Sequence, residues 1–174
     1  MRRPTPAKTR LYLHLQLTDL LDDVVKVGEC ERLGPATTTK VRDWLGNSRA
    51  TIVPVLHLGG DPADEVAVDE HDPPASMRET VILRDRHCVF PWCRRDARSC
   101  DLDHITPYVP HDDGGPPGQT TPSNLAPLCR RHHNTKTTDR WRYQRHPDGT
   151  YTWHSPHRAS YHVTPHGTTP LPRA

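Results

Sequence analysis

The chain has 174 residues, room for one domain or one and a half, with a formal net charge of +2 and only 33% hydrophobic residues. So small a net charge does not by itself mark a nucleic-acid binder, and no stretch is long and apolar enough to span a membrane. The five cysteines are an odd number and do not form a secreted disulfide framework. The basic start is not followed by a signal-peptide apolar core, so the expected location is the cytoplasm.

A chain with one Phe and 19 Pro buries a modest core and needs a further source of stability. Residues 11–17 alternate Leu with polar residues, the pattern of a half-buried strand. A second strand is expected around residues 24–27. Residues 37–45 read as a short helix with a Thr cap, with Val41, Trp44 and Leu45 on one face and Gly46 closing it. Residues 50–58 read as another strand, at a sheet edge because of Pro54. These elements, residues 1–58, form a partial α/β segment that does not close a core of its own. Residues 59–76, rich in Asp, Glu and Pro, read as a linker.

Residues 77–85 carry Met77, Val81 and Ile82 at helical spacing. Residues 100–105, which include Asp103 and His104, read as a strand. Further on, Trp141 to Tyr143 and Tyr151 to Trp153 flank Pro147-Asp148-Gly149, a hairpin signal. Residues 141–174 are therefore expected to form a β-hairpin followed by a frayed tail. The whole reads as α+β.

Four cysteines fall between residues 88 and 129, among many histidines. Cys129 and His132 stand three apart, so on a helix both reach one ion. With Cys88 and Cys93 they offer three sulfurs and one nitrogen, the donor set of a closed structural zinc site. Such a site supplies folding energy that a small core lacks. The gap between Cys88 and Cys93 is wider than the usual two residues. Cys100 reads as an ordinary buried thiol and a possible substitute ligand; Cys30 has no assigned role.

Asp103-His104, Asn124 and His133 follow in order inside this cysteine pattern. Phosphodiester cleavage needs a hard divalent ion to neutralise developing charge and a base to take a proton from water. Asp103 and His133 suit the ion, and neutral His104 suits the base. Asn124 can hold that imidazole, or the loop behind it, by hydrogen bonds. His133 lies about 100° around the helix from His132, so one helix could serve zinc and the second ion on neighbouring faces. Consecutive strand residues point to opposite sides, so Asp103 and His104 share a site only if the strand ends or bends there.

Asp103-His104, Gly114-Gly115, Asn124-Leu125 and Leu128-Cys129 through His133, Asn134 and Lys136 together resemble the signature of HNH endonucleases. Cys88 to Cys93, Cys129 to His133 and the trailing Trp141-Arg142-Tyr143 resemble one bacterial subgroup, the 13E12 repeat family, whose members carry a long domain before a C-terminal HNH module. The catalytic resemblance covers residues 77–140. Residues 1–58 resemble the end of the preceding domain, so the chain is expected to be a C-terminal fragment. The resemblance implies a small ββα-metal module with a zinc knuckle that cuts DNA, expected to be double-stranded, with Mg²⁺ or Mn²⁺. It also implies His104 as general base, Asp103 and His133 as ligands of that ion, and Asn124 as the orienting residue. The family's knuckle is usually two Cys-x-x-Cys pairs, from which this chain departs at the Cys88–Cys93 gap and at His132. Arg130, Arg131, Lys136 and Arg140 are candidate phosphate contacts, or else a solvated helix face. No organic cofactor is expected. Two other readings stay open: a zinc-stabilised nucleic-acid-binding module without catalysis, and a protein-interaction piece in which zinc only holds the fold. RNA as the nucleic acid also stays open.

Overall fold

The computed structural model describes residues 12–14, 25–30, 34–46 and 66–172. The chain divides into two compact units, Met1–Pro54 and Val55–Ala174. The expected strand at residues 50–58 lies outside the described residues, as does most of that at 11–17, of which Leu13 and His14 are described as strand.

In the first unit, β1 (Leu13–His14), β2 (Val27–Cys30) and β3 (Gly34–Thr37) form an antiparallel sheet in that order. The second strand lies further along than the apolar run at 24–27 suggested: Val25 and Val27 are exposed, and the buried side chain is Cys30. Helix α1 (Thr38–Gly46) follows β3 directly. The Thr37 hydroxyl accepts the Lys40 N–H at 3.2 Å, the expected threonine cap. Val41 turns inward with Trp44 and Leu45 to close a small cluster over Cys30 and Ala36.

The second unit is mixed α+β. Helix α2 (Ala75–Asp85) buries Met77, Val81 and Ile82. Strands β4 (Asp101–His104) and β5 (Leu125–Leu128) pair antiparallel, with Asp103 opposite Ala126 and His104 opposite Leu125. All of β5 is buried, because it is covered on both faces. Leu125 packs with Met77 and Val81 on one side, while Ala126 and Leu128 join a larger cluster on the other. Helix α3 (Arg130–Thr138) follows β5 at once.

The C-terminal region differs from the expected hairpin and frayed tail. Strands β6 (Arg142–Arg145), β7 (Tyr151–His154), β8 (Ser160–Thr164) and β9 (Gly167–Leu171) make a four-stranded antiparallel sheet. Pro170 is tolerated because β9 is an edge strand. Inward-facing Tyr143, Tyr151, Trp153 and Val163 join Cys88, Val89 and Leu128 in the main core. Trp153 is fully buried, stacks on Tyr143 with ring centroids 4.2 Å apart, and donates its indole N–H to the Val89 carbonyl at 2.8 Å. The sheet thus packs directly behind Cys88 and β5, and its Tyr143 reaches Asp103.

Candidate metal centre and reaction centre

Cys88, Cys93, Cys129 and His132 converge, with one ligand atom from each lying within 4.8 Å of all the others. The Cys129 and Cys88 sulfurs stand 3.3 and 3.5 Å from His132 Nδ1. A tetrahedral zinc with bonds of about 2.3 Å to sulfur and 2.05 Å to nitrogen has an S···N edge of roughly 3.6 Å, so these two edges fit that ion. The wide Cys88–Cys93 gap closes through a turn in which the Cys93 N–H donates to the Phe90 carbonyl at 3.0 Å, with Trp92 in the left-handed region at φ 57°. Phe90 stacks on the His132 ring at 4.0 Å and fixes its orientation.

Cys129 and His132 do not share the helix that their spacing implied. Cys129 is the residue before α3, with an extended backbone, and only His132 lies on the helix. The pair still meets, because the first turn brings His132 back over the cap. Cys100 stays outside the ligand set and donates to the Asp96 carbonyl at 3.4 Å. Its hydrogen bond to Cys88, and then burial, push the Cys88 thiol up, while burial pushes Cys93 up to about 12. Burial, then the Arg131 charge, holds His132 below the ordinary imidazole value. This half-buried to buried set of three sulfurs and one neutral imidazole could hold a metal such as zinc, which favours the deprotonated thiols.

Asp103 and His104 end β4 and leave it on opposite faces. On one face Asp103, 5% exposed, accepts the Tyr143 hydroxyl at 2.7 Å and the Lys136 amine at 3.1 Å, and meets His133 Nε2 at 3.2 Å. Lys136 also donates to the His104 carbonyl at 3.0 Å. His133 Nδ1 meets Asp101 at 3.3 Å, so Asp101 orients that ring from behind. Asp101 and Asp103 share a face by the period of two, a signal legible in the strand but not used in the sequence reading.

On the other face His104 Nε2 lies 2.8 Å from the Thr120 hydroxyl. That hydroxyl donates its one proton to the Glu70 carbonyl at 2.7 Å, so it must accept from the imidazole. This fixes the neutral tautomer with Nε2–H and leaves Nδ1 with its lone pair. Burial first, then His71, holds His104 below the ordinary value, against the opposing pull of Asp103. Nothing in the sequence pattern pointed to Thr120.

Asn124 braces the loop behind the strand. Its side-chain carbonyl accepts the Thr106 N–H at 2.8 Å, and its side-chain amide donates to the Gln119 and Thr106 backbone carbonyls at 2.9 and 3.2 Å. Gly115 sits in the same loop, where a Cβ would run into the Val109 carbonyl, so the second glycine of the pair is required by space.

Of the four candidate phosphate contacts, Lys136 is drawn inward while Arg130, Arg131 and Arg140 are exposed. Lys136 is tied to Asp103 with its side chain 15% exposed, and Arg130 pairs with Asp101 at 2.9 Å. Arg98 is paired with Glu79, and Arg84 clamps α2 to the Leu125 carbonyl and to Tyr151. Arg131 and Arg140 are exposed. Residues 68–72, expected to be linker, instead pack on the loop of Thr120, with Val68 and Thr120 bonded to each other through both backbone groups.

The chain is 39% identical over 112 residues to uncharacterized protein Rv3776 of Mycobacterium tuberculosis, 64% of this chain and 20% of that protein. It is 40% identical over 117 residues to uncharacterized protein Rv2100 of the same organism, 67% of this chain and 19% of that protein. The chain thus spans about a fifth of the length of these relatives. No protein-family model and no solved structure matches it. Among the described residues, no helix is long and apolar enough to cross a membrane.

Proposed function

We propose that this chain is the HNH module of a metal-dependent endonuclease, a ββα-metal unit made of β4, β5 and α3 that hydrolyses phosphodiester bonds in DNA. The observation that carries the reading is His104: its tautomer is fixed by Thr120, its Nδ1 is left as a base, and it adjoins an Asp103–His133 pair. The Cys88, Cys93, Cys129 and His132 cluster is read as the zinc knuckle of the same unit.

Asp103 and His133 would hold Mg²⁺ or Mn²⁺. Two cis ligands of an octahedral ion with bonds of about 2.1 Å stand roughly 3.0 Å apart, and the Asp103–His133 separation of 3.2 Å is close to that. When bound, the ion would neutralise charge developing on the phosphate and the leaving oxygen. His104 Nδ1 takes the proton from the attacking water, and Thr120 keeps the ring in the productive tautomer. Asn124 holds the loop that follows His104, so the base is presented at the end of the strand, where one phosphodiester could reach both faces. Tyr143 and Asp101 hold Asp103 and His133 in place.

One observation favours a second reading, a nucleic-acid-binding module without catalysis. The Lys136 amine already neutralises Asp103, where a metal ligand needs a free carboxylate. Metal-dependent nicking of supercoiled plasmid by the parent, lost in His104→Ala, supports the nuclease. DNA binding without cleavage by the folded, zinc-loaded parent supports the binding module.

A further inference from the structure

His71 lies outside every motif, in a segment whose composition reads as linker, yet it is fixed in place. Ahead of it Val68 is bonded to Thr120, the Asp69 carboxylate accepts the Gly118 N–H at 2.6 Å, and the Asp69 carbonyl accepts the Tyr108 hydroxyl at 2.7 Å. The Glu70 carbonyl takes the Thr120 hydroxyl, the same group that holds His104. Behind it Pro73 and Pro74 restrict the backbone up to the start of α2 at Ala75.

This frame sets the His71 ring 5.1 Å from His104 and 5.2 Å from Tyr108, centroid to centroid. Its Nδ1 lies 2.9 Å from the Asp72 carboxylate, which can only accept, so Nδ1 carries a proton and Nε2 is free to face a ligand. The two histidines differ sharply in access: the His71 side chain is 65% exposed, while His104 is 5% exposed as a residue. A phosphodiester approaching His104 from this side meets His71 first.

We infer that His71 is a second imidazole of the reaction centre, and that its exposed Nε2 edge hydrogen-bonds an oxygen of the phosphodiester delivered to His104, the ring between these two acceptors then carrying a proton on each nitrogen. The catalytic consequence rests on the nuclease reading; the phosphate contact does not. A neutral aromatic ring at this position would keep the packing on His104 and Tyr108 but offer no donor. A hydrogen bond from a cation to a phosphate oxygen is worth about tenfold to a hundredfold in a binding or rate constant.

The test uses the full zinc-loaded chain with its histidines labelled for NMR and a short DNA duplex without added Mg²⁺. The His71 imidazole signals shift on titration, and His71→Phe and His71→Ala both weaken duplex binding about tenfold or more at unchanged zinc content and Tm. With Mg²⁺ both variants lose a similar factor in kcat/KM. If His71→Phe binds and cuts like the parent, the ring merely covers His104 and the inference is overturned. If the parent cuts DNA and the His71 signals stay still, the inference fails while the nuclease reading stands. If those signals move but no cleavage occurs, the phosphate contact stands and the nuclease reading fails.

Discussion

Replacing Cys129 by Ala removes one corner of the cluster formed with Cys88, Cys93 and His132. In isolated zinc fingers the metal contributes roughly 10–16 kcal/mol, as much as the entire folding free energy of about 5–15 kcal/mol of an ordinary domain. The second unit also has a core around Trp153 and Leu128, so it does not depend on the metal alone. Losing about a third of the metal's contribution costs roughly 3–5 kcal/mol. For a body of this size, that lowers Tm by about 10–20 °C. The assay pairs metal analysis of the purified protein with calorimetry, with Cys100→Ser as the control. Cys100 donates to the Asp96 carbonyl, a bond a serine hydroxyl can keep, so that variant retains zinc and most of its stability. A parent purified without zinc from zinc-supplemented medium, or a Cys129→Ala protein with the parent's zinc content and Tm, would refute the reasoning.

Lys136→Met leaves the buried Asp103 without its ammonium partner, which costs about 3–5 kcal/mol; Mn²⁺ restores part of that loss and binds more tightly than to the parent by calorimetry, whereas an unchanged Mn²⁺ affinity contradicts the view that the amine competes for the ion. Trp153→Ala opens the centre of the main core and strands the Val89 carbonyl, lowering stability by about 3–5 kcal/mol in denaturant unfolding. Gly115→Ala drives a Cβ into the Val109 carbonyl and displaces the loop that Asn124 braces, so cleavage falls more than Tm. Burial, then the Asp85 carboxylate, holds the Tyr151 phenol above its ordinary value of 10. The folded chain therefore keeps a proton that the unfolded chain releases, and stability is full below about pH 10 and declines above it. Tyr151→Phe flattens that decline in thermal melts taken from pH 9 to 11; a slope identical to the parent's argues against the assignment.

What the sequence made legible follows from how local each signal is. Helix α1 is capped by Thr37 and buries Val41, both written within one short stretch of the chain. The Cys88, Cys93, Cys129 and His132 cluster could be read because so few residue types supply sulfur and imidazole. Strand β8 was missed because Val163 is its one buried side chain, which leaves little apolar signal over five residues, and β9 because Pro170 argues against a strand unless its edge position is known. The packing of residues 68–72 was hidden for another reason. It depends largely on backbone groups of Val68, Asp69 and Glu70, which composition does not reveal. Charge along a chain, in turn, says nothing of the carboxylates and carbonyls that meet it in the fold. Arg84 and Arg98 are largely buried and bonded internally.

The most direct test of the central claim is a plasmid assay with the zinc-loaded parent and His104→Ala, each with Mg²⁺, with Mn²⁺ and with neither. Nicking or linearisation by the parent only when a divalent ion is added, and a loss of at least a hundredfold in the folded, zinc-loaded variant, is the predicted result. Cleavage by His104→Ala at the parent's rate, or an inert parent that is folded and loaded with both metals, would contradict it.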